Sequence, residues 1–299
     1  MKFPIALFAA LSACGPKAPP AAPVPAPVDP LATRPDIPVA GPWAPPAAET
    51  VTLANGSDAW VLARNDLPLV SVRLWIPGGT LAGPEDRPGL VTLTDTLLMH
   101  GAGDRDGAAF AEHTEQLALT IQSSTWERGT VIRLDCHADQ LDEGLSLVAD
   151  AVLRPRFSNP DVKRERDLQV AEIERALDDP RTVARWVGNA EWYGEGHPSA
   201  TPGIGTIRGL KGVDEKIVRA DWQRRATPNG ARFIVVGDVD PETVPERIDA
   251  HFGEWTGPEA PEHALPPAKG VTDGPRTVFV DAPGSSQSCL LYTSPSPRD

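Results

Sequence analysis

The chain has 299 residues, 40% of them hydrophobic, which suffices to bury the core of one large or two small globular domains. Its 41 acidic residues against 28 basic ones give a formal net charge of -13, and no Lys/Arg stripe interrupts that balance. Such a surface repels phosphate backbones, so nucleic acid is not an expected partner.

Met1-Lys2 and the apolar run Ile5–Leu11 have the charged start and short greasy core of a secretory signal, too short to span a bilayer. The run ends in Leu11-Ser12-Ala13-Cys14-Gly15, which resembles the lipobox at which bacterial lipoproteins are cleaved and diacylated. Cys14 is the expected lipidation site, and a plain signal with an accidental Cys is the alternative. By resemblance to lipoproteins, the lack of an Asp in Gly15-Pro16 points to the outer membrane, facing the periplasm. Residues 15–47 are dominated by Pro and Ala, which bury no core and favour extended backbone, so they read as a spacer from membrane to domain.

Folded sequence is expected from residue 48, in a domain running to 257. Thr50–Leu53, the Asn55-Gly56 turn, Ala59–Ala63 and Leu69–Ile76 predict a β-meander. Past the Gly78-Gly79 and Pro84/Pro88 breakers, Leu90, Leu93, Leu97 and Leu98 recur at helical spacing, and Gly101 is the predicted C-cap. A helix over about 107–118 leads into strands Thr120–Thr125 and Thr130–Cys136, then an amphipathic helix over about 139–153. Asn159-Pro160 opens a long charged helix that Asp179-Pro180 interrupts. The next segment carries Trp186 and Trp192, expected as packing anchors. A helix through Trp222, a strand Arg232–Val236, a helix over about 241–252 and a last strand near Thr277–Val280 complete the series. Hairpins interleaved with crossovers predict an α+β fold, with a mixed, mainly antiparallel sheet packed against helices. Cys136 and Cys289 have no metal-type spacing, and Cys136 is expected as a buried strand residue.

The order of landmarks resembles the insulinase/pitrilysin (M16) zinc peptidases from about residue 49 to 288. They are Leu53-Ala54-Asn55-Gly56, Gly78-Gly79, Gly89-Leu90, Gly101, Arg154-Pro155-Arg156-Phe157, Glu165-Arg166, His197-Pro198, Gly205, Asn229 and Val236-Gly237-Asp238. Catalytic members of that family carry His-x-x-Glu-His on the helix after the Gly, with two His ligands one turn apart and a Glu that activates zinc-bound water. A Glu on a later helix is their third ligand. The resemblance places Thr92 and Thr96 at the His positions, Asp95 at the Glu and Glu172 at the third ligand. Neutral hydroxyls are poor zinc donors, so the expectation is a degenerate site with no resident metal, although active relatives use zinc. His100 and His113 are the alternative ligands, of which His100, one turn beyond Thr96, could approach Asp95 and Glu172; His137 and His197 lack ligand spacing. Gly203-x-Gly205-x-x-x-Gly209 follows a Trp-rich helix instead of a strand, which argues against a dinucleotide loop.

Family members bind substrate as a strand added to an exposed sheet edge, and Gln122-Ser123-Ser124-Thr125 is the matching run here. A partner domain covering that strand is the equal alternative. The resemblance implies a non-catalytic, membrane-anchored subunit that pairs with an active peptidase, or with a second half of its own chain, and helps hold peptide substrates. Two alternatives stay open: an active zinc metalloendopeptidase with an intact motif in a missing C-terminal portion, and a peptide-binding lipoprotein without a proteolytic role. Residues 258–290 resemble a linker and the entry to a second half, and 291–299 resemble translated adapter sequence, which predicts a truncated chain.

Overall fold

The computed structural model describes residue 41 and residues 44–194, 196–261, 267–268, 277–285 and 287–292. Cys14 and the proposed signal lie outside them, as does most of the spacer. One compact unit spans 46–299.

In chain order the strands and helices are β1 (Glu49–Thr52), β2 (Asp58–Ala63), β3 (Leu69–Pro77), α1 (Leu90–Leu97), β4 (Gly101–Ala102), β5 (Arg105–Asp106), α2 (Gly107–Gln116) and β6 (Thr120–Thr125). Then follow β7 (Gly129–His137), α3 (Leu141–Leu153), α4 (Asn159–Leu177), α5 (Pro180–Tyr193), α6 (Ile207–Leu210), α7 (Glu215–Arg225), β8 (Arg232–Gly237) and α8 (Val244–Phe252). Strand order in the main sheet is β1-β2-β8-β3-β7-β6, and among the described residues β2–β8 is its one parallel pair. The fold is α+β with a mixed, mainly antiparallel sheet.

Period-two patterning fixes which face of the sheet is buried. Val70, Val72, Leu74 and Ile76 of β3 share the core with Ile132, Leu134 and Cys136 of β7 and with Phe233 and Val235 of β8. Leu141, Leu145, Val148 and Val152, spaced by three or four along α3, and Ile248 and Phe252 of α8 join the same cluster. On the alternate positions polar groups pair with one another: Ser71 Oγ donates to Asp135 at 2.6 Å, and Arg73 reaches the same carboxylate at 3.0 Å. Arg133 also bonds Asp135. Burial pushes the Asp135 carboxyl up, but the hydrogen bonds from Ser71, Arg133 and Arg73 together bring it below its ordinary value. Burial, aided by the Asp135 charge, pushes the Cys136 thiol up to about 11, so it stays a protonated core residue.

Local signals place most boundaries. The Asp179 carboxylate accepts from the amides of Arg181 and Thr182 at 3.3 and 3.2 Å, and Pro180 sits in the first turn, so α5 starts anew where α4 has ended. Four expectations fail. β1 and β2 form the Asn-Gly hairpin, but β8 inserts between β2 and β3, so there is no meander. The insertion needs glycine at 237, where φ is +145° and a Cβ would meet Leu69 O at 2.1 Å. The metal-type helix ends at Leu97, and Gly101, with φ of +109°, opens the short β4–β5 pair instead of capping it. Residues 277–280 form no strand and Phe279 is 90% exposed, because no described strand offers them a ladder. Trp192 is 45% exposed and Trp186 only half-buried, so neither is a core anchor; that part falls to Trp222.

Candidate functional site

A cleft of about 430 Å³ opens between α1, α4, β6 and the loop after α5. Thr92 and Thr96, four apart on α1, face it together with Glu165 and Glu172 from α4 and Ser123 and Thr125 from β6. Thr80, Gly203 and Ile204 close the rim. Tight backbone packing brings the loop down onto α1. Gly205 and Gly89 both have positive φ, and a Cβ on Gly205 would meet the Gly89 Cα at 2.3 Å. The buried Gln169 amide then donates to Gly89 O at 3.0 Å and Ile204 O at 2.7 Å, tying α4 to both segments.

Both threonine hydroxyls already have acceptors. Thr92 Oγ1 donates to Gly203 O at 2.7 Å, and Thr96 Oγ1 donates to Thr92 O at 2.9 Å. Asp95 turns away from the cleft into the core, 1% exposed. Its Oδ1 accepts from Arg225 Nη2 at 2.7 Å, and its Oδ2 accepts from Thr130 Oγ1 at 2.6 Å and Thr125 Oγ1 at 2.9 Å. Arg225 is fully buried, bonds Asp221 through Nε at 3.0 Å and donates to Gly78 O at 2.9 Å. Burial works against the guanidinium charge, but Asp95 and Asp221 outweigh it and hold the group above its ordinary pKa. Asp95 is thus a buried counter-ion, committed where a water-activating base would have to be free.

These donors do not fit zinc. Two hydroxyls spent on carbonyls and one carboxylate locked to Arg225 leave Glu172 and Glu165, the latter already bonded to Arg164, whereas zinc needs about three protein ligands of thiolate, imidazole or carboxylate type. His100 does not replace them: its ring meets Arg164 at 3.1 Å and Glu165 at 3.5 Å, not Asp95. His113 pairs with Glu143, His137 caps the turn at Asp139, and His197 caps its own turn while stacking on Tyr193. Among the described residues no group of three His, Cys, Asp or Glu is placed to hold a metal ion.

The four predicted peptide-contact residues lie on β6, which pairs with β7 on one side and ends the sheet on the other. They divide by face. Ser123 and Thr125 point inward, where Ser123 Oγ donates to Asp95 O at 2.7 Å; Gln122 and Ser124 are exposed. Sequence reasoning missed Arg225, Asp221 and Thr130. An Arg next to the end of a helix reads as a surface charge, and only the packing of α7 on α1 reveals a buried one.

A mixed sheet whose edge strand flanks a cleft between two helices, with no cluster of three metal-type ligands among the described residues, is a peptidase-like arrangement. The family described as Insulinase (Peptidase family M16) matches residues 60–196, and the family described as Peptidase M16 inactive domain matches residues 216–299. The chain belongs to the insulinase (M16) peptidase family. It is 26% identical over 183 residues to an uncharacterized zinc protease of Mycobacterium leprae (strain TN), covering 61% of this chain and 41% of that one. Among solved structures, a peptidase M16 inactive domain from Pseudomonas fluorescens superposes with a TM-score of 0.68 at 20% identity, over 72% of this chain and 52% of that one. The first half of the periplasmic protease PqqL from Escherichia coli gives 0.66 at 20%, over 74% and 49%. The chain therefore spans about half the length of the relatives it matches.

Proposed function

We propose that this chain is a non-catalytic M16 half that holds extended peptides along β6 and works beside an active zinc peptidase, either a separate subunit or a further half. One observation carries the reading: the cleft and its open strand edge are formed, while the hydroxyls and the carboxylate at the metal positions are spent on protein groups. Backbone hydrogen bonding along an edge needs no metal. The lipobox-like Cys14 and the Pro/Ala spacer support attachment to the bacterial envelope, and the likeness to a periplasmic protease agrees with that.

The test uses a fluorescein-labelled extended peptide and its counterpart N-methylated at alternate residues, titrated by anisotropy against the purified chain with and without zinc. The proposal expects binding of the first peptide, loss on N-methylation, no effect of zinc and no cleavage. Cleavage that a chelator abolishes, or equal binding of both peptides, rejects it. A second reading, an active peptidase with its motif elsewhere, draws on the match covering only 41% of the zinc-protease relative. An intact His-x-x-Glu-His in a longer gene product would decide for it.

A further inference from the structure

On the flank of α4 that carries Arg166 and Val170, away from the cleft, a second groove of about 570 Å³ runs between that helix and α6. It falls in the size range of small-molecule pockets, roughly 300–1,000 Å³. Val170 and Ile207, over the fully buried Leu210, give it an apolar lining, and Ile207 stays 43% exposed. Three cations, Arg166, Arg208 and Lys211, complete the lining. Arg166 is held in place: Nη1 donates to Val213 O at 3.0 Å and Nη2 to Asp167 at 2.9 Å. Asp167, next to Arg166, is in turn neutralised by Lys163 and Arg166, whose hydrogen bonds hold it below its ordinary pKa. Arg208 and Lys211 have exposed side chains without a carboxylate partner among the described residues.

In a chain of net charge -13, two cations without a carboxylate partner among the described residues stand beside a partly exposed apolar trough. A simple anion would leave the trough wet, and a neutral apolar molecule would leave the cations unused. We propose that this groove binds a monomeric single-chain anionic amphiphile, its carboxylate or phosphate head between Arg208 and Lys211 and its alkyl chain along Val170, Ile207 and Leu210. Long cationic side chains suit the task, since their stems extend the apolar wall while their heads meet the acid.

The probe is dodecanoate below its micellar concentration, titrated calorimetrically into the full chain. Acetate, dodecyltrimethylammonium and dodecyl maltoside are the controls. The proposal expects saturable one-to-one binding of dodecanoate and of dodecyl phosphate, with none of the three controls binding comparably. Arg208→Glu/Lys211→Glu lowers affinity by about tenfold or more, and Ile207→Ser lowers it without touching a charge, both with unchanged thermal unfolding because the substituted side chains are exposed. No saturable binding, affinity indifferent to the charge reversal, or equal binding of the cationic amphiphile overturns the assignment. Preference for an acidic, leucine-rich peptide over dodecanoate also overturns it, and would give the groove to a protein partner.

Discussion

Arg225→Met tests the buried charge cluster of Asp95, Arg225 and Asp221. Asp95, Arg225 and Asp221 are within 1% of complete burial. The guanidinium makes hydrogen bonds to both carboxylates, to Gly78 O and to Thr130 Oγ1, and packs 5.4 Å from the Trp222 ring. Methionine matches the volume but strands Asp95 with two hydroxyls and Asp221 with Arg224 alone. Removing one partner of a buried pair costs about 3–5 kcal/mol, a fifth or more of the roughly 5–15 kcal/mol that keeps a domain folded. Asp95→Leu in the same chain removes the stranded charge, so the double variant should recover much of the loss. Urea unfolding followed by tryptophan fluorescence gives all the free energies of the cycle. A loss below about 1 kcal/mol for Arg225→Met, the value of an exposed pair, refutes the reasoning.

Thr92→His/Thr96→His, with Asp95 retained, places two imidazoles on the cleft face of α1 opposite Glu172 and should take up one zinc by elemental analysis, whereas the natural chain should take up none. A zinc-free variant would show that Glu172 does not reach them. Asp135 has a folded pKa below its unfolded one, so its contribution is full above the ordinary carboxylate range and is lost as pH falls through the lower, folded value. Asp135→Asn should therefore lower the melting temperature at pH 7 and differ progressively less from the natural chain below about pH 4; a constant difference contradicts the sign. Gly144 of α3 leaves no room for a methyl group, since a Cβ would lie 2.8 Å from Leu134 Cδ2. Gly144→Ala should destabilise by about 1–3 kcal/mol in chemical denaturation despite its better helix propensity, and a more stable variant would show that Leu134 gives way freely.

The two cavities flank one helix and differ in chemistry. On α4, Glu165 and Glu172 face the cleft with the hydroxyls of α1 and β6, while Arg166 and Val170 face the groove with α6. The carboxylates of α4 thus line the cleft and its Arg166 the groove, so the peptide and the acid amphiphile proposed above would not compete for the same charges. Among the described residues no helix is long and apolar enough to cross a membrane.

Local chemistry in the sequence determined much of this protein. The Asn55-Gly56 hairpin, the alternating core of β3 and β7 and the Pro180 restart of α5 all follow from neighbouring residues, because turns, caps and amphipathic periods act over a few positions. Insertion of β8 between β2 and β3 was not legible, since it depends on a pairing between segments far apart in the chain that no local period records. Nor was the fate of Asp95: the sequence offered a carboxylate at a catalytic position, and only the meeting of α1 with α7 turned it into the counter-ion of a buried arginine. The same limit hid the amphipathic groove, whose apolar floor and cations come from α4 and α6 and whose character is set by which charges the tertiary structure leaves unpaired.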